Sequence, residues 1–211
     1  MATSLLSQYR LPHWAWFLLV TIVLAVGFVG VSVWLPYHRE QQAGQAIKSW
    51  GGHIETAPSG PNWLRVLVGD RRMREAAIFD RIVSIRLFDP AIGDVEIENL
   101  SRKMRGLTAL KELYLNNTSV SDVGVTHLTK LTKLERLALD GTAVTDAGIA
   151  PMRVCGRLRF LHLSHTRVSD AGIAHLTGMT NLIWIDLHGT RVTSKGISEL
   201  QSSSPACTIS H

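Results

Sequence analysis

His162, His165, Asp186 and His188 are the residues in this chain whose types could do chemistry together. Imidazole and carboxylate suit acid–base catalysis, and both ligate divalent metals. His162 and Asp186 are 24 residues apart, a spacing that puts them side by side if the chain winds with that period. Three points argue against a reactive centre. The spacing follows from a repeat, the positions fall on an open surface, and no nucleophile or pocket is evident. Phosphate-cradling and dinucleotide glycine motifs are absent. Cys155 and Cys207 make no C-x-x-C pair and no disulfide framework, and read as small buried hydrophobes. The expectation is a protein that is not an enzyme, with no catalytic residue, cofactor, metal or small-molecule substrate.

A second set suits recognition: Arg86, Glu112, Tyr114, Arg136, Asp140, Phe160, His162, Trp184, Asp186 and His188. If the chain winds regularly, these fall into rows. Ser84, Glu112, Arg136, Phe160 and Trp184 form one row. Arg86, Tyr114, Ala138, His162 and Asp186 form the next, and Asn116, Asp140, Ser164 and His188 lie near the strand ends. Exposed aromatic rings beside arginine have the composition of interface hot spots. The competing reading is that Phe160 and Trp184 only pack along the ladder as neighbours.

The winding that must position these residues is written in the sequence. From Leu110, Leu134, Leu158 and Leu182, starts 24 residues apart, the chain repeats L-x-x-L-x-L-x-x-T-x-V-[ST]-D-x-G-[VI]-x-x-L. A degenerate copy through Ile82, Ile85, Leu87, Ile92, Asp94, Ile97 and Leu100 precedes them, as terminal repeats tend to be atypical. The alternating Leu113/Leu115 pair and its equivalents predict a strand with one inward face. Thr118, Thr142, Thr166 and Thr190 predict hydroxyls bonded to turn backbone. Asp122, Asp146 and Asp170, with Ser194 in the fourth copy, predict helix N-caps. Gly124, Gly148, Gly172 and Gly196 predict close approach of neighbouring coils, since glycine inside a helix otherwise costs about 1 kcal/mol. Each unit is strand, turn, helix, and stacking buries what a lone unit cannot.

These residues resemble the leucine-rich-repeat superfamily, in the subtype reading L-x-L-x-x-T-x-[VI]-[ST]-D-x-G-[IL]. The unit style is similar to the cysteine-containing repeats of F-box proteins. The layout resembles bacterial single-pass membrane-anchored repeat proteins: an apolar helix, an Arg-Glu-Gln neck ending in Gly-Gly, a Pro-x-Trp-Leu segment, repeats, and a closing Pro205–Ile209 strand. The resemblance implies an α/β solenoid, a right-handed superhelix in a horseshoe arc with a parallel sheet on its concave face, and a protein-binding role. No F-box-like segment supports a ubiquitin-ligase role.

Outside the repeats, 14–35 carries no charge and no proline. A helix of that length spans roughly 33 Å, enough for a bilayer core of about 30 Å. Trp14 and Trp16 at one end, with Trp34 and Tyr37 at the other, make an aromatic belt at each interface. Gly30-Val31-Ser32 offers a rival reading, a cleaved signal peptide. The expected divisions are a tail (1–13), a transmembrane helix (14–36) bracketed by Pro12 and Pro36, and a helical neck and cap (37–81). The repeat domain (82–211) then comprises the degenerate copy (82–109), four repeats (110–133, 134–157, 158–181, 182–205) and a closing strand (206–210). In the neck, Ala43, Ala46, Ile47 and Trp50 form an amphipathic stripe that Gly51-Gly52 ends, and Trp63–Val68 begins a further helix.

At 45% hydrophobic and 18% charged, the chain is too apolar for disorder. The net charge of +5 is scattered; Arg71, Arg72 and Arg74, then Arg102, Lys103 and Arg105, are its densest groups. No long basic run points to nucleic acid. The partners expected are therefore a protein and, through Trp14–Leu35, a lipid bilayer. The repeat domain is expected on the external or periplasmic side. The alternatives are a structural envelope protein that packs against its own copies and a metal or hydrolytic site at His162 and Asp186.

Overall fold

The computed structural model describes residues 13–58, 69, 80–103 and 109–211. The chain divides into two compact units, Met1–His38 and Arg39–His211. Helix α1 (His13–Ser49) runs through the division as one 37-residue helix. The boundary expected at Pro36 is therefore absent. A proline inside a helix removes one backbone donor and costs about 3 kcal/mol. Helix-forming sequence lies on both sides of it, Arg-Glu-Gln-Gln-Ala after it, and continuing the helix outweighs that loss. Taken over the described residues, no helix is long and apolar enough to cross a membrane. The side chains of 28–37 lie outside that description.

In the second unit, α1 ends as its glycines require. Gly51 has φ +70°, its N–H donates to the Lys48 carbonyl at 3.0 Å, and the Gly52 N–H donates to the Ile47 carbonyl at 2.9 Å. Ala43 and Ile47 are fully buried in the same core as the repeat leucines. Glu40 is buried beside them, its Oε1 3.1 Å from Arg81 Nη1. Burial pushes the Glu40 carboxyl up, and Arg81 opposes that rise. Strand β1 (His53–Pro58) pairs antiparallel with β2 (Asp80–Arg86). The neck segment thus caps the apolar end of the stack, as a solenoid requires. The helix expected from Trp63 and the Arg71, Arg72 and Arg74 group lie outside the described residues.

From β2 onward the sheet is parallel and follows chain order: β3 (Glu112–Tyr114), β4 (Arg136–Ala138), β5 (Phe160–His162), β6 (Trp184–Asp186) and β7 (Thr208–Ser210). The register pairs Leu113 with Leu137, then Leu161, then Ile185, each 24 residues on. Those side chains are buried and form one continuous ladder. β7 is the expected closing strand. Between strands run α2 (Asp94–Lys103), α3 (Asp122–Leu128), α4 (Asp146–Ile149), α5 (Asp170–Ala174) and α6 (Ser194–Ser203). Each packs on its sequence neighbour. α4 tightens into a 3₁₀ turn, Ala150–Val154, because Pro151 has no N–H to continue an α-helix.

The threonine column behaves as the pattern implies: Thr118, Thr142, Thr166 and Thr190 donate to the carbonyl three residues back at 2.6–2.7 Å. The aspartates do not. The helix caps are Ser121, Thr145 and Ser169, whose hydroxyls accept from the N–H two residues on at 3.3 Å. Each aspartate stands one residue inside its helix and reaches the next coil instead. Asp122 accepts from the Thr145 N–H and hydroxyl, both at 2.7 Å. Asp146 accepts likewise from Ser169, and Asp170 from Thr193. Asp94 does the same for Ser121. A carboxylate has acceptor sites for several donors, so bridging to the next coil takes two donors where the hydroxyl caps here take one. The column glycines leave the room: a Cβ on Gly148 would stand 2.5 Å from Asp122 Oδ1 and 3.2 Å from its Cα.

Candidate recognition face and cation cluster

Strand residues that alternate with the buried ladder point out of the sheet. Register places Glu112, Arg136, Phe160, Trp184 and Thr208 in one row, and Tyr114, Ala138, His162, Asp186 and Ser210 in the next. The rows read from the sequence are thus correct, with two qualifications. Ser84 is buried, with Glu55 opposite it on β1, and Ala138 is buried between larger neighbours.

At the first end, Arg86 Nη1 lies 2.7 Å from Glu55 Oε1, and its guanidinium sits 5.3 Å from the Tyr114 ring. The Tyr114 hydroxyl donates to Glu112 Oε2 at 3.1 Å. Partial burial raises the Tyr114 phenol pKa, and that bond raises it further. Glu112 also lies 3.8 Å from Arg136. These charges neutralise one another.

The second group is different. The Arg136 guanidinium lies over Phe160, 4.1 Å from the ring centroid, with Arg159 5.8 Å from the same centroid. The His162 and Trp184 ring centroids are 4.5 Å apart. Arg136, Phe160, His162, Ile183, Trp184 and Thr208 line an open cleft of about 370 Å³. Sequence reasoning missed Arg159, Ile183 and Thr208 as contributors. Thr208 could have been found by extending the Trp184 row one strand into the closing segment. Arg159 and Ile183 precede their strands, where the alternation gives no direction.

Asp140, His162 and Asp186 meet beside this cleft, their ligand atoms within 4.8 Å of one another. Asp140 Oδ1 accepts from the Ser164 N–H at 2.8 Å and Oδ2 from Asn116 Nδ2 at 3.0 Å. His162 Nδ1 lies 3.9 Å from Asp140 Oδ2. Burial lowers the His162 pKa, and the adjacent Asp140 carboxylate works against that shift. His165 and His188 do not join the cluster: they pack edge-to-face on each other at 5.8 Å. Cys155 and Cys207 are free and buried, their thiol pKa values raised by that burial.

The four regular coils show the same winding: inward aliphatic residues in register, a threonine-bonded turn, a short outer helix, and outward residues in rows. The repeat domain has the leucine-rich-repeat fold. No family model and no curated protein matches the sequence. Among solved structures, this chain is similar to an internalin of Listeria monocytogenes. That match has 18% identity and a TM-score of 0.44, covering 59% of this chain and 38% of that one. It is also similar to a leucine-rich-repeat protein of Leptospira interrogans, at 15% identity and TM-score 0.45, covering 61% and 37%. A third is the leucine-rich-repeat ectodomain of a receptor kinase from Arabidopsis thaliana, at 17% and 0.44, covering 76% and 87%. Such likenesses concern the winding alone. The chain aligns with under two fifths of the two bacterial proteins.

Proposed function

We propose that this protein is a membrane-anchored binding module that captures a protein partner on the outward face of its repeat sheet. The observation that carries the reading is the cleft where Arg136, stacked on Phe160, meets Trp184 and His162. Large rings and a guanidinium held rigid by a sheet lose little entropy on contact, and such groups dominate interface energetics. At the first end of the sheet, charged side chains already engage one another and offer less.

The anchor is supported by α1. Trp14, Trp16, Phe17, Leu18, Leu19, Val20, Val23 and Leu24 are all exposed in the first unit, at 47–75%. They follow one another around the helix rather than forming one stripe. A helix apolar all round belongs in a protein core or a bilayer, and the uncharged sequence continues to Leu35. The repeat domain is read as external or periplasmic.

The test is proximity labelling in the native cell with wild-type chain and with Trp184→Ala and Arg136→Ala, followed by titration of the enriched protein. Each substitution is expected to weaken binding about 30-fold, the effect of an interface hot spot, with unchanged thermal melting. Equal affinity in both variants would remove the cleft from the reading.

A further inference from the structure

Asp140, His162 and Asp186 come from three successive coils, and the backbone fixes their approach. His162 stands opposite Asp186 in the sheet, and Asp140 follows β4, whose Ala138 stands opposite His162. The Ser164 N–H holds Asp140 through Oδ1 at 2.8 Å, and the His188 N–H holds Asp186 through Oδ1 at 3.0 Å. Each carboxylate keeps an oxygen that the main chain does not use. Trp184 backs the imidazole at 4.5 Å.

A second observation concerns satisfaction. Among the described residues neither nitrogen of His162 makes a hydrogen bond. Nδ1 is 3.9 Å from Asp140 Oδ2, beyond bonding distance, and Nε2 is shielded from solvent with no partner. Asn116 donates to Asp140 through Nδ2, yet its Oδ1 is also shielded and unpartnered. Four shielded side-chain atoms lack partners among the described residues, and these two belong to the residues on either side of Asp140. Buried polar atoms are nearly always satisfied. An imidazole without a hydrogen-bond partner, set between two carboxylates, is a ligand set that a cation would complete.

We propose that Asp140, His162 and Asp186 bind a divalent transition ion, with zinc the best match to one imidazole and two carboxylates. Zinc bonds of about 2.0–2.2 Å set tetrahedral ligand atoms roughly 3.5 Å apart, so the three groups, now within 4.8 Å of one another, close in on binding. Three protein ligands leave a coordination position open towards the outward face. This inference does not depend on a protein partner.

The experiment titrates the full chain in detergent with zinc chloride alone, by calorimetry. Wild type is expected to bind one zinc per chain. His162→Gln and Asp186→Asn are each expected to bind at least about tenfold more weakly. The double variant His165→Gln/His188→Gln is expected to keep wild-type affinity. Melting in chelator checks that each variant is folded. As a second readout, zinc should raise the melting temperature of wild type and not of His162→Gln. No binding at submillimolar zinc would overturn the site. So would binding that survives both single substitutions, or that is lost in the double variant.

Discussion

At the residue scale, the aspartate column shows why one side chain can outweigh its own helix. Asp122, Asp146 and Asp170 each tie two donors of the next coil, and the Thr145 and Ser169 so held also cap their helices, while Thr193 stands at the N-cap without a side-chain cap bond. Asp146→Ala leaves the Ser169 N–H and hydroxyl without their acceptor. A charged acceptor of this kind is worth about 1.5–3 kcal/mol, and chemical denaturation should show a loss of that order. Asp170 adds a pH signature. The Thr193 hydroxyl and N–H hold its carboxyl below the usual carboxylate range. A folded-state pKa below the unfolded one stabilises the fold above the unfolded pKa, and that contribution disappears as pH falls through the folded value. The melting-temperature gap between wild type and Asp170→Asn should therefore shrink as the pH drops below about 4. A gap that is constant with pH would mean the carboxylate charge is irrelevant. This column was half legible. The spacing showed that the aspartate matters and that its glycine is crowded. It did not show that the two meet across coils, because the local Ser-Asp pair looks like a cap to any reading confined to one unit.

At the element scale, strands and helices were legible because each is forced by a period. The inward leucines fix the strands, and a 24-residue winding fixes which strands touch, so the outward rows followed before any coordinates. Of the carboxylate–imidazole cluster, His162 beside Asp186 followed from the same spacing, but Asp140 as its third member did not, because it lies past the strand end. Its direction is set by bonds from Ser164 and Asn116, one coil to either side. Helix α1 was misjudged at Pro36 for the opposite reason: a local rule was applied where the flanking sequence favours continuation. The glycine column provides the prediction that belongs to packing between elements. In Gly172→Ala the new methyl would meet the Asp146 carboxylate, with the Asp146 Cα 3.2 Å away and Val168 Cγ1 2.9 Å away. Backbone cannot yield as a flexible chain end does, so about 1–3 kcal/mol of stability should be lost. Gly156→Ala meets nothing within 4 Å. That substitution should stay within about 0.5 kcal/mol of wild type in the same denaturation experiment.

At the scale of the whole molecule, the two units make opposite demands on solvent. The repeat unit is closed: its leucine ladder is covered by helices, by the α1 end at Ala43 and Ile47, and by β7. The first unit exposes Trp14, Trp16, Phe17, Leu18, Leu19, Val20, Val23 and Leu24. At roughly 25 cal/mol per Å² of apolar surface, a bare helix of this kind is costly in water and favoured in lipid. Charge placed in the run should reverse that preference, because arginine near a helix centre costs about 2.5–3.5 kcal/mol on insertion. Wild-type chain should stay in the membrane pellet through alkaline carbonate extraction. Val23→Arg/Leu24→Arg should appear in the supernatant with the repeat unit still folded, as its cooperative melting would show. Extraction of wild type into the supernatant would end the anchor reading and leave the repeat face untouched, since the ring contacts of Arg136, Phe160 and Trp184 described above are made with residues of the repeat unit.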